Sequence, residues 1–472
     1  MPAWLGTNLQ RPEVLARTRT LGTTVLRLPG GSWSNSYDWL ACELGDAEGC
    51  YWTWAARPSD LLKFVRATGQ EAMWTVSING TAQEAAALVA FFNGEIDDDR
   101  PIGIDVRGRD WKTVGDWARL RAENGSPEPL PIRLWEVGNE VYGGKEGSGT
   151  DCASWGWEDV WTCDGREYVA GKTEDGLRRE GYLEFRAAMR AVDPEILVGA
   201  VGVAGPGEWT NWGNEVISTA GENLDFYIVH YYPYSEQPPG APEVLADPQA
   251  IWPRVMEELN AAFDRHLGGR RVPVAVTEYN LVAFQELDNE QLMRRAVNAL
   301  FIADMIGQMA EHGVAMANQW DLANGRAENG TDYGMLDAES AERYPQYYGM
   351  LAWSGFGEEL LPLESSLPAD TTLSAYAGRD ATGALTLLAI NKTSETITVP
   401  VRVAPGGATF RVTADEVRAE ALEATAVTWN GVPNPADDLA DAPPRELGRF
   451  DGVMDYSFAP YSITILRFTP TP

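Results

Sequence analysis

Short apolar stretches recur through the first three quarters of the chain, and segments with helical periodicity separate most of them. The stretches that predict strands are 3–8, 24–28, 72–78, 132–137, 196–203, 226–230, 272–277 and 314–319. Helical patterns or helix-end residues mark 12–22, 58–69, 81–94, 111–123, 253–267 and 290–313. Strands that alternate with helices predict a parallel sheet, and this number of them predicts an α/β fold, the (β/α)8 barrel.

The pattern changes after about residue 356, where short segments of alternating apolar and polar residues replace the helices. These segments lie at 372–376, 385–391, 396–403, 425–429 and 456–468. Turns rich in Gly, Asn, Asp and Pro separate them, which is typical of an all-β sandwich. We therefore expect a barrel domain over residues 1–355 and a C-terminal β-sandwich domain over residues 356–472.

The net charge of the chain limits the classes of partner that it is expected to bind. The 472 residues include 37 Lys and Arg against 69 Asp and Glu, which gives a net charge of −32. Nucleic acids and anionic membranes need a basic surface, so the composition argues against both and favours a neutral substrate. No apolar stretch is long enough to predict a membrane span. The oligomeric state stays open.

The four cysteines form two close pairs in sequence, Cys42 with Cys50 and Cys152 with Cys163. Three connectivities are possible, and pairing within each close pair is the simplest. There is no CxxC spacing and the chain has 3 histidines, so no zinc cluster is expected. We favour two loop disulfides in an extracellular protein over four free thiols in a cytosolic one. Residues 1–6 show no signal peptide, so an export signal would not be part of this sequence.

Two predicted strands end in glutamate. Glu140 follows the strand at 132–137 in a Gly-Asn-Glu sequence, and Glu278 follows the strand at 272–277. A barrel brings the C-terminal ends of its strands to one face, so we expect the two carboxyl groups to meet there. Glycoside hydrolysis needs one protonated and one ionised carboxyl group on either side of a sugar. No organic cofactor is implied.

Polar residues at other strand ends would complete such a site. Arg27 would hold a carboxylate ionised through its charge, and Asn139 would donate to a sugar hydroxyl. His230 and Tyr232 would hydrogen-bond to a carboxyl group or bridge the two. A structural ion pair for Arg27 and an ordinary buried histidine at 230 are the alternatives.

Aromatic residues suggest surfaces for sugar rings. Trp320, beside Gln319 at the last predicted strand end, would offer a flat face to a sugar, and Trp33 and Trp74 are further candidates. The two loops that carry the cysteine pairs are rich in tryptophan. Their tryptophans are Trp33, Trp39, Trp52, Trp54, Trp155, Trp157 and Trp161. They fit either a packed loop core or the walls of a polysaccharide cleft.

Several segments resemble glycoside hydrolase family 51. They are Trp-Ala-Arg-Leu-Arg-Ala-Glu-Asn-Gly at 117–125, Pro-Glu-Pro at 127–129, residues 134–140, Arg-Leu-Pro-Gly-Gly at 27–31, residues 85–94 and residues 226–232. That family contains α-L-arabinofuranosidases and some endoglucanases, and belongs to a clan whose catalytic glutamates lie on strands four and seven. The resemblance implies that Glu140 is the acid/base, that Glu278 is the nucleophile and that the anomeric configuration is retained. Retention implies a separation of about 5–5.5 Å between the carboxyl groups, against about 6.5–9.5 Å for inversion.

One departure from the family affects the substrate. The family's first strand carries Gly-x-Phe-x-Glu, whose glutamate grips arabinose, whereas Gln10 stands at that position here. The resemblance favours an α-L-arabinofuranosidase that acts on plant cell-wall polysaccharide or its oligosaccharides. Gln10 and the aromatic loops favour the alternative, an endo-acting β-1,4-glycanase such as a glucanase or xylanase. A non-catalytic carbohydrate-binding protein on the same scaffold is a third interpretation.

Overall fold

Seven parallel strands form one sheet in the computed structural model, which describes residues 1–50, 52–143, 152, 155–365, 367, 372–403, 409–450 and 452–471. The strands pair in chain order: β1 Val25–Leu28, β2 Glu71–Val76, β3 Leu134–Val137, β4 Leu197–Val201, β5 Phe226–Tyr231, β6 Val274–Tyr279 and β7 Met316–Gln319. Helices connect successive strands, and the sheet curls until β1 and β7 are neighbours. The predicted parallel α/β barrel class is confirmed.

Helices cover the outside of this sheet. They are α1 Pro12–Leu21, α2 Trp39–Leu44, α3 Pro58–Thr68, α4 Ala82–Asn93, α5 Val114–Glu123, α6 Gly165–Ala170, α7 Tyr182–Val192, α8 Glu208–Ala220, α9 Ala241–Val244, α10 Asp247–Leu267, α11 Ala296–Glu311 and α12 Pro345–Leu351. Local sequence sets several boundaries. At α4 the Thr81 hydroxyl accepts from the Glu84 amide while the Glu84 carboxylate accepts from the Thr81 amide, as the capping-box sequence predicts.

The first predicted strand is wrong, because residues 3–8 lie within 3-10 turns over Ala3–Gln10. Gly6 has a φ of 52° there, a conformation that breaks an extended strand. The edges of β1 and β7 therefore face each other without a ladder between them. The Asn318 amide donates to the Val25 carbonyl at 3.1 Å across this seam. A largely apolar cavity of about 690 Å³ lies in the same seam.

The C-terminal part is an all-β sandwich, as predicted. Its strands are β8 Glu359–Leu361, β9 Leu373–Arg379, β10 Leu385–Asn391, β11 Ile397–Arg402, β12 Phe410–Arg418, β13 Thr428–Trp429, β14 Val432–Pro433, β15 Arg445–Phe450, β16 Val453–Phe458 and β17 Ser462–Pro470. One sheet has the order β8-β9-β10-β17-β12-β13-β14, with β15 added beside β12, and β11 pairs with β16. The predicted strand at 456–468 is two strands, and β12 and β15 lie outside every predicted segment.

Buried polar contacts join the sandwich to α11 of the barrel. The Lys392 ammonium and the Tyr376 hydroxyl both donate to the Asp304 carboxylate, at 2.5 Å each. The Tyr376 ring lies against Gly307, where a Cβ would come within 2.2 Å of a ring atom. The two parts of the chain thus share a close-packed interface.

Both predicted disulfides are present, Cys42–Cys50 and Cys152–Cys163. Each one closes a loop that follows a strand of the barrel, after β1 and after β3 respectively. Within the described ranges, none of the helices has the length and apolar character that a bilayer span requires.

Candidate active site

Four strands bring polar side chains to one edge of the sheet. Arg27 comes from β1, Glu140 follows β3, His230 lies in β5 and Glu278 in β6. Because parallel strands end at the same edge, these side chains converge although 251 positions separate Arg27 from Glu278.

Glu278 is surrounded by groups that favour its ionised form. Arg27 Nη1 donates to Glu278 Oε1 at 2.6 Å, and the Tyr232 hydroxyl donates to Oε2 at 2.7 Å. Burial acts to raise the pKa of the Glu278 carboxyl, but the charges of His230 and Arg27 and these hydrogen bonds outweigh it, so the pKa is lowered. Glu278 is therefore an anion with a fixed orientation.

The Arg27 guanidinium holds the centre of the site together. It is 2% exposed and spreads its donors over three residues. Nε donates to the Glu136 carboxylate, which also accepts from the Thr75 hydroxyl, and Nη2 donates to Asn139 Oδ1 at 2.7 Å. Glu136 is not among the site residues predicted from the sequence. Its inward position in the short strand β3 could have suggested it, since a charged residue in a buried strand needs a partner.

Glu140 is paired with His230. Their Oε1 and Nδ1 atoms lie 2.8 Å apart, and Nδ1 is 3.7 Å from Glu278 Oε2. The other ring nitrogen lies 2.9 Å from the Thr277 hydroxyl. Burial acts to lower the pKa of His230, but Glu278 and Glu140 raise it above its ordinary value. His230 thus lies between the two carboxyl groups, where their negative charge favours its protonated form.

Backbone conformation aims Glu140 into the site. Gly138 has a φ of 83° and Glu140 has a φ of 44°, so the chain turns sharply where β3 ends. Left-handed backbone is uncommon for glutamate and tends to occur at functional positions. The side chain of Asn35 holds the turn through two hydrogen bonds. Its Nδ2 donates to the backbone carbonyl of Asn139 at 2.6 Å, and its Oδ1 accepts from the backbone N–H of Asn139 at 3.0 Å.

The two glutamates are close. One oxygen of Glu140, one oxygen of Glu278 and a nitrogen of His230 all lie within 4.8 Å of one another. This spacing fits the shorter carboxyl separation, about 5–5.5 Å, and not the longer one. The same atoms meet the geometric condition for a cation site. However, Arg27 and Tyr232 already occupy the oxygens of Glu278, which favours a carboxyl pair with a bridging histidine.

Besides Glu136, a further carboxyl group that was not predicted, Glu158, lies near enough to this pair for the charges of Glu140 and Glu278 to act on it. Glu158 accepts from the Ser32 hydroxyl and from Asn139 Nδ2, the latter at 3.1 Å. It lies between Trp157 and Cys163, in the loop closed by the second disulfide. The sequence signal that could have identified Glu158 is its place in a tryptophan-rich loop with a predicted disulfide.

The structure places the remaining predicted residues differently. Trp320 packs its ring on Gly30 and Gly31, where a Cβ at Gly31 would lie 2.5 Å from a ring atom, so much of its face is covered. Gln319 is buried and donates to the side chain of Gln346. Trp33 is half-buried and stacks on Trp52.

Two predicted residues are not brought to the site. Trp74 is 1% exposed, and its ring packs 4.8 Å from that of Phe92 on the helix side of the sheet, so a sugar has no access to it. Gln10 is exposed and donates to the carbonyl of Asp60, because the 3-10 turns carry it away from the strand ends.

Sequence comparison finds distant similarity to curated α-L-arabinofuranosidases. No protein-family profile matches the sequence. A probable α-L-arabinofuranosidase C from Aspergillus flavus is 25% identical over 266 residues, which are 51% of this chain and 44% of that protein. The chain thus spans less than half the length of the curated relatives that it matches.

Solved structures match over nearly the whole chain. The α-L-arabinofuranosidase of Thermotoga maritima in complex with arabinose gives a TM-score of 0.71 at 20% identity, covering 98% of this chain and 90% of that one. The family 51 α-L-arabinofuranosidase of Thermotoga petrophila gives 0.67 at 19% identity, covering 97% and 90%. The fold is that of a barrel glycoside hydrolase with an appended β-sandwich. More narrowly, it is the fold of the family 51 α-L-arabinofuranosidases.

Proposed function

We propose that the protein is a retaining glycoside hydrolase in which Glu278 is the nucleophile and Glu140 is the acid/base. The observation that carries this proposal is the placement of the two carboxyl groups. One is held anionic by Arg27 and Tyr232, and the other lies within 4.8 Å of it beside His230. Two carboxyl groups at this spacing in unlike environments suit a double displacement.

Each group then has a defined task. In the first step Glu278 attacks the anomeric carbon, the glycosidic C–O bond breaks, and the leaving oxygen takes the proton of Glu140. In the second step Glu140 takes a proton from water, whose oxygen attacks the same carbon and displaces Glu278. His230 lies between the two glutamates and stabilises whichever is charged. Tyr232 keeps the attacking oxygen of Glu278 in place.

We infer that the substrate is an α-L-arabinofuranoside of plant cell-wall polysaccharide or its oligosaccharides. The names of the curated relatives and of the solved structures with this fold support that substrate. An endo-acting β-1,4-glycanase is the second candidate, favoured by one observation. Trp157 and Trp54 are 81% and 57% exposed on the two disulfide loops, where they offer faces to a longer chain.

The compartment and the domain limits belong to the same proposal. Two disulfides favour an extracellular protein, because thiols stay reduced in the cytosol. We assign catalysis to residues 1–355 and the β-sandwich to residues 356–472.

The test compares two substrate classes with matched variants. One arm is 4-nitrophenyl α-L-arabinofuranoside, and the other is a panel of soluble β-glucans and xylans with products sized by chromatography. Wild type is expected to release arabinose without shortening the backbones, and Glu278→Gln is expected to lose this activity. Glu286→Gln, an exposed carboxylate after the same strand, is the control and should retain it. Shortened backbones with an inert arabinoside would establish the endo-glycanase instead.

A further inference from the structure

We propose that Glu158 is a sugar-binding residue of this site, whose carboxyl group, held by Ser32 and Asn139, binds the hydroxyl at C2 or C3 of the hydrolysed sugar. This inference rests on the proposed function. It adds a recognition group from a loop that the strand-end argument does not reach.

The position of Glu158 follows from a chain of contacts that starts at the nucleophile. Glu278 accepts from Arg27, Arg27 donates to the oxygen of the Asn139 side chain, and the nitrogen of that side chain donates to Glu158. Because Arg27 fixes the amide oxygen, the amide nitrogen must point towards Glu158. If the anomeric carbon lies between Glu140 and Glu278, this line of groups runs along the adjacent ring carbons.

The loop is built to hold the carboxyl group still. The disulfide Cys152–Cys163 closes it, and the Trp161 amide donates to the Val141 carbonyl at 3.0 Å. The Trp155 indole donates to the Tyr142 carbonyl at 2.8 Å. A site preorganised in this way loses little entropy when a ligand hydroxyl binds.

The chemistry of the group suits a hydroxyl. Burial raises the pKa of the Glu158 carboxyl well above its ordinary range, and the nearby charge of Glu140 raises it further. A protonated carboxyl donates one hydrogen bond and accepts others, and a sugar hydroxyl does the same.

A purely structural Glu158, which only ties Ser32 to the loop, predicts a different outcome. Substrate analogues separate the two roles, because a site that hydrogen-bonds a hydroxyl rejects the analogue that lacks it. The substrates are 4-nitrophenyl α-L-arabinofuranoside and its 2-deoxy and 3-deoxy analogues. The proteins are wild type, Glu158→Ala, Glu158→Gln and the control Asp159→Asn. Asp159 is the exposed neighbour, whose carboxylate accepts from Asn79 at 2.7 Å.

We expect Glu158→Ala to lower kcat/KM on the parent substrate by about 2- to 10-fold, the size of one hydrogen bond between uncharged groups. On the analogue that lacks the bonded hydroxyl, the same variant should cause little further loss. Glu158→Gln should fall between wild type and Glu158→Ala, and Asp159→Asn should match wild type. Should the alanine variant fail to fold, as judged by its melting temperature, Glu158→Gln carries the comparison.

An equal loss on the parent and on both deoxy sugars would overturn the role of Glu158 while leaving the arabinofuranosidase proposal intact. Conversely, a wild-type protein that does not cleave the parent arabinoside would overturn the proposed substrate, and the assignment of Glu158 to that sugar with it.

Discussion

At the scale of single residues, Arg27 connects most of the site. Its donors reach the nucleophile candidate Glu278, the buried Glu136 and the side chain of Asn139. The charge of one guanidinium is therefore shared between two carboxylates, and the share that Glu278 receives affects both its ionisation and its reactivity. Changes that alter the charge around Glu278 should therefore shift the pH dependence of kcat/KM.

Glu136→Gln should shift the acid limb of the kcat/KM profile to lower pH. Without the Glu136 charge, Arg27 acts on Glu278 alone and lowers the pKa of that carboxyl further. Activity requires ionised Glu278, so it is lost as pH falls through this pKa, which in wild type lies below the ordinary value of a glutamate carboxyl. We also expect a loss of about 10- to 100-fold in kcat/KM, because a charge-assisted hydrogen bond to Arg27 is weakened. An unmoved acid limb would show that Glu136 only fills space.

His230→Asn should shift the same limb in the opposite direction. The charge of His230 is the first of the interactions that lower the pKa of Glu278, so its removal raises that pKa. His312→Asn, at the end of α11, is the control. Matching profiles for the two variants would contradict the bridging role of His230.

Sequence reasoning reached the residues that lie at strand ends. Glu140, Glu278, Arg27, Asn139, His230 and Tyr232 all converge in the structure as expected. Glu136 and Glu158 escaped it for different physical reasons. Glu136 lies inside a short apolar strand, and the position of Glu158 depends on how a loop folds back over the sheet. Neither contact follows from the spacing of residues.

At the scale of elements, the loop of residues 155–164 shows what the strand pattern cannot provide. It carries Glu158 and three tryptophans, and a disulfide and the hydrogen bonds donated by Trp155 and Trp161 anchor it. The strand predicted over residues 3–8 is the opposite case, in which the sequence pattern predicts an element that does not form. Residues 3–8 look extended in sequence, but the Trp4 indole donates to Asn324 and Gly6 turns the chain, so tertiary contacts win over local pattern.

Strand β12 was not predicted because charged residues interrupt its alternation of apolar and polar positions. Asp415 and Glu416 stand in its middle, where apolar and polar residues would be expected to alternate. Asp415 is buried and pairs with Arg467 of the neighbouring strand β17, so its charge is compensated only in the folded sheet. A partner that lies far away in sequence cannot be read from the strand itself.

Removing the second disulfide should affect substrate binding more than removing the first. Each disulfide closes a short loop and is expected to contribute about 3 kcal/mol to the free energy of unfolding. The double variant Cys152→Ser with Cys163→Ser frees the loop that presents Glu158, so its KM should rise. The matched control, Cys42→Ser with Cys50→Ser, should lose similar stability. Equal KM values would contradict a recognition role for the second loop.

At the scale of the whole molecule, the interface between barrel and sandwich rests on a buried ion pair. Lys392 and Asp304 are 9% and 0% exposed, and Tyr376 completes the contact. The class of both parts could be predicted from hydrophobic periodicity alone. The way in which they pack together could not, because this interface depends on side chains far apart in sequence, 72 positions for Tyr376 and 88 for Lys392 from Asp304.

Lys392→Met should destabilise the protein by about 3–5 kcal/mol, because it leaves the Asp304 charge buried without its partner. The double variant with Asp304→Asn should recover much of that loss. As a control, Arg411→Ala breaks the exposed pair with Glu446 and should have little effect on stability, because water screens the two charges. Urea unfolding measures the free energy of unfolding of the single variant, the double variant and the control. Similar losses for Lys392→Met and Arg411→Ala would contradict an ion-pair interface.

In the proposed mechanism, Glu278 forms a covalent bond to the sugar while Glu140 supplies and removes protons. Its most direct test is peptide mass mapping of Glu140→Gln after brief incubation with 2,4-dinitrophenyl α-L-arabinofuranoside. This leaving group needs no proton, so the first step proceeds while the second is slowed. We expect a pentosyl ester on the peptide that contains Glu278, and its release on addition of azide. An unlabelled Glu278, or a label on Glu136 or Glu158, would contradict it.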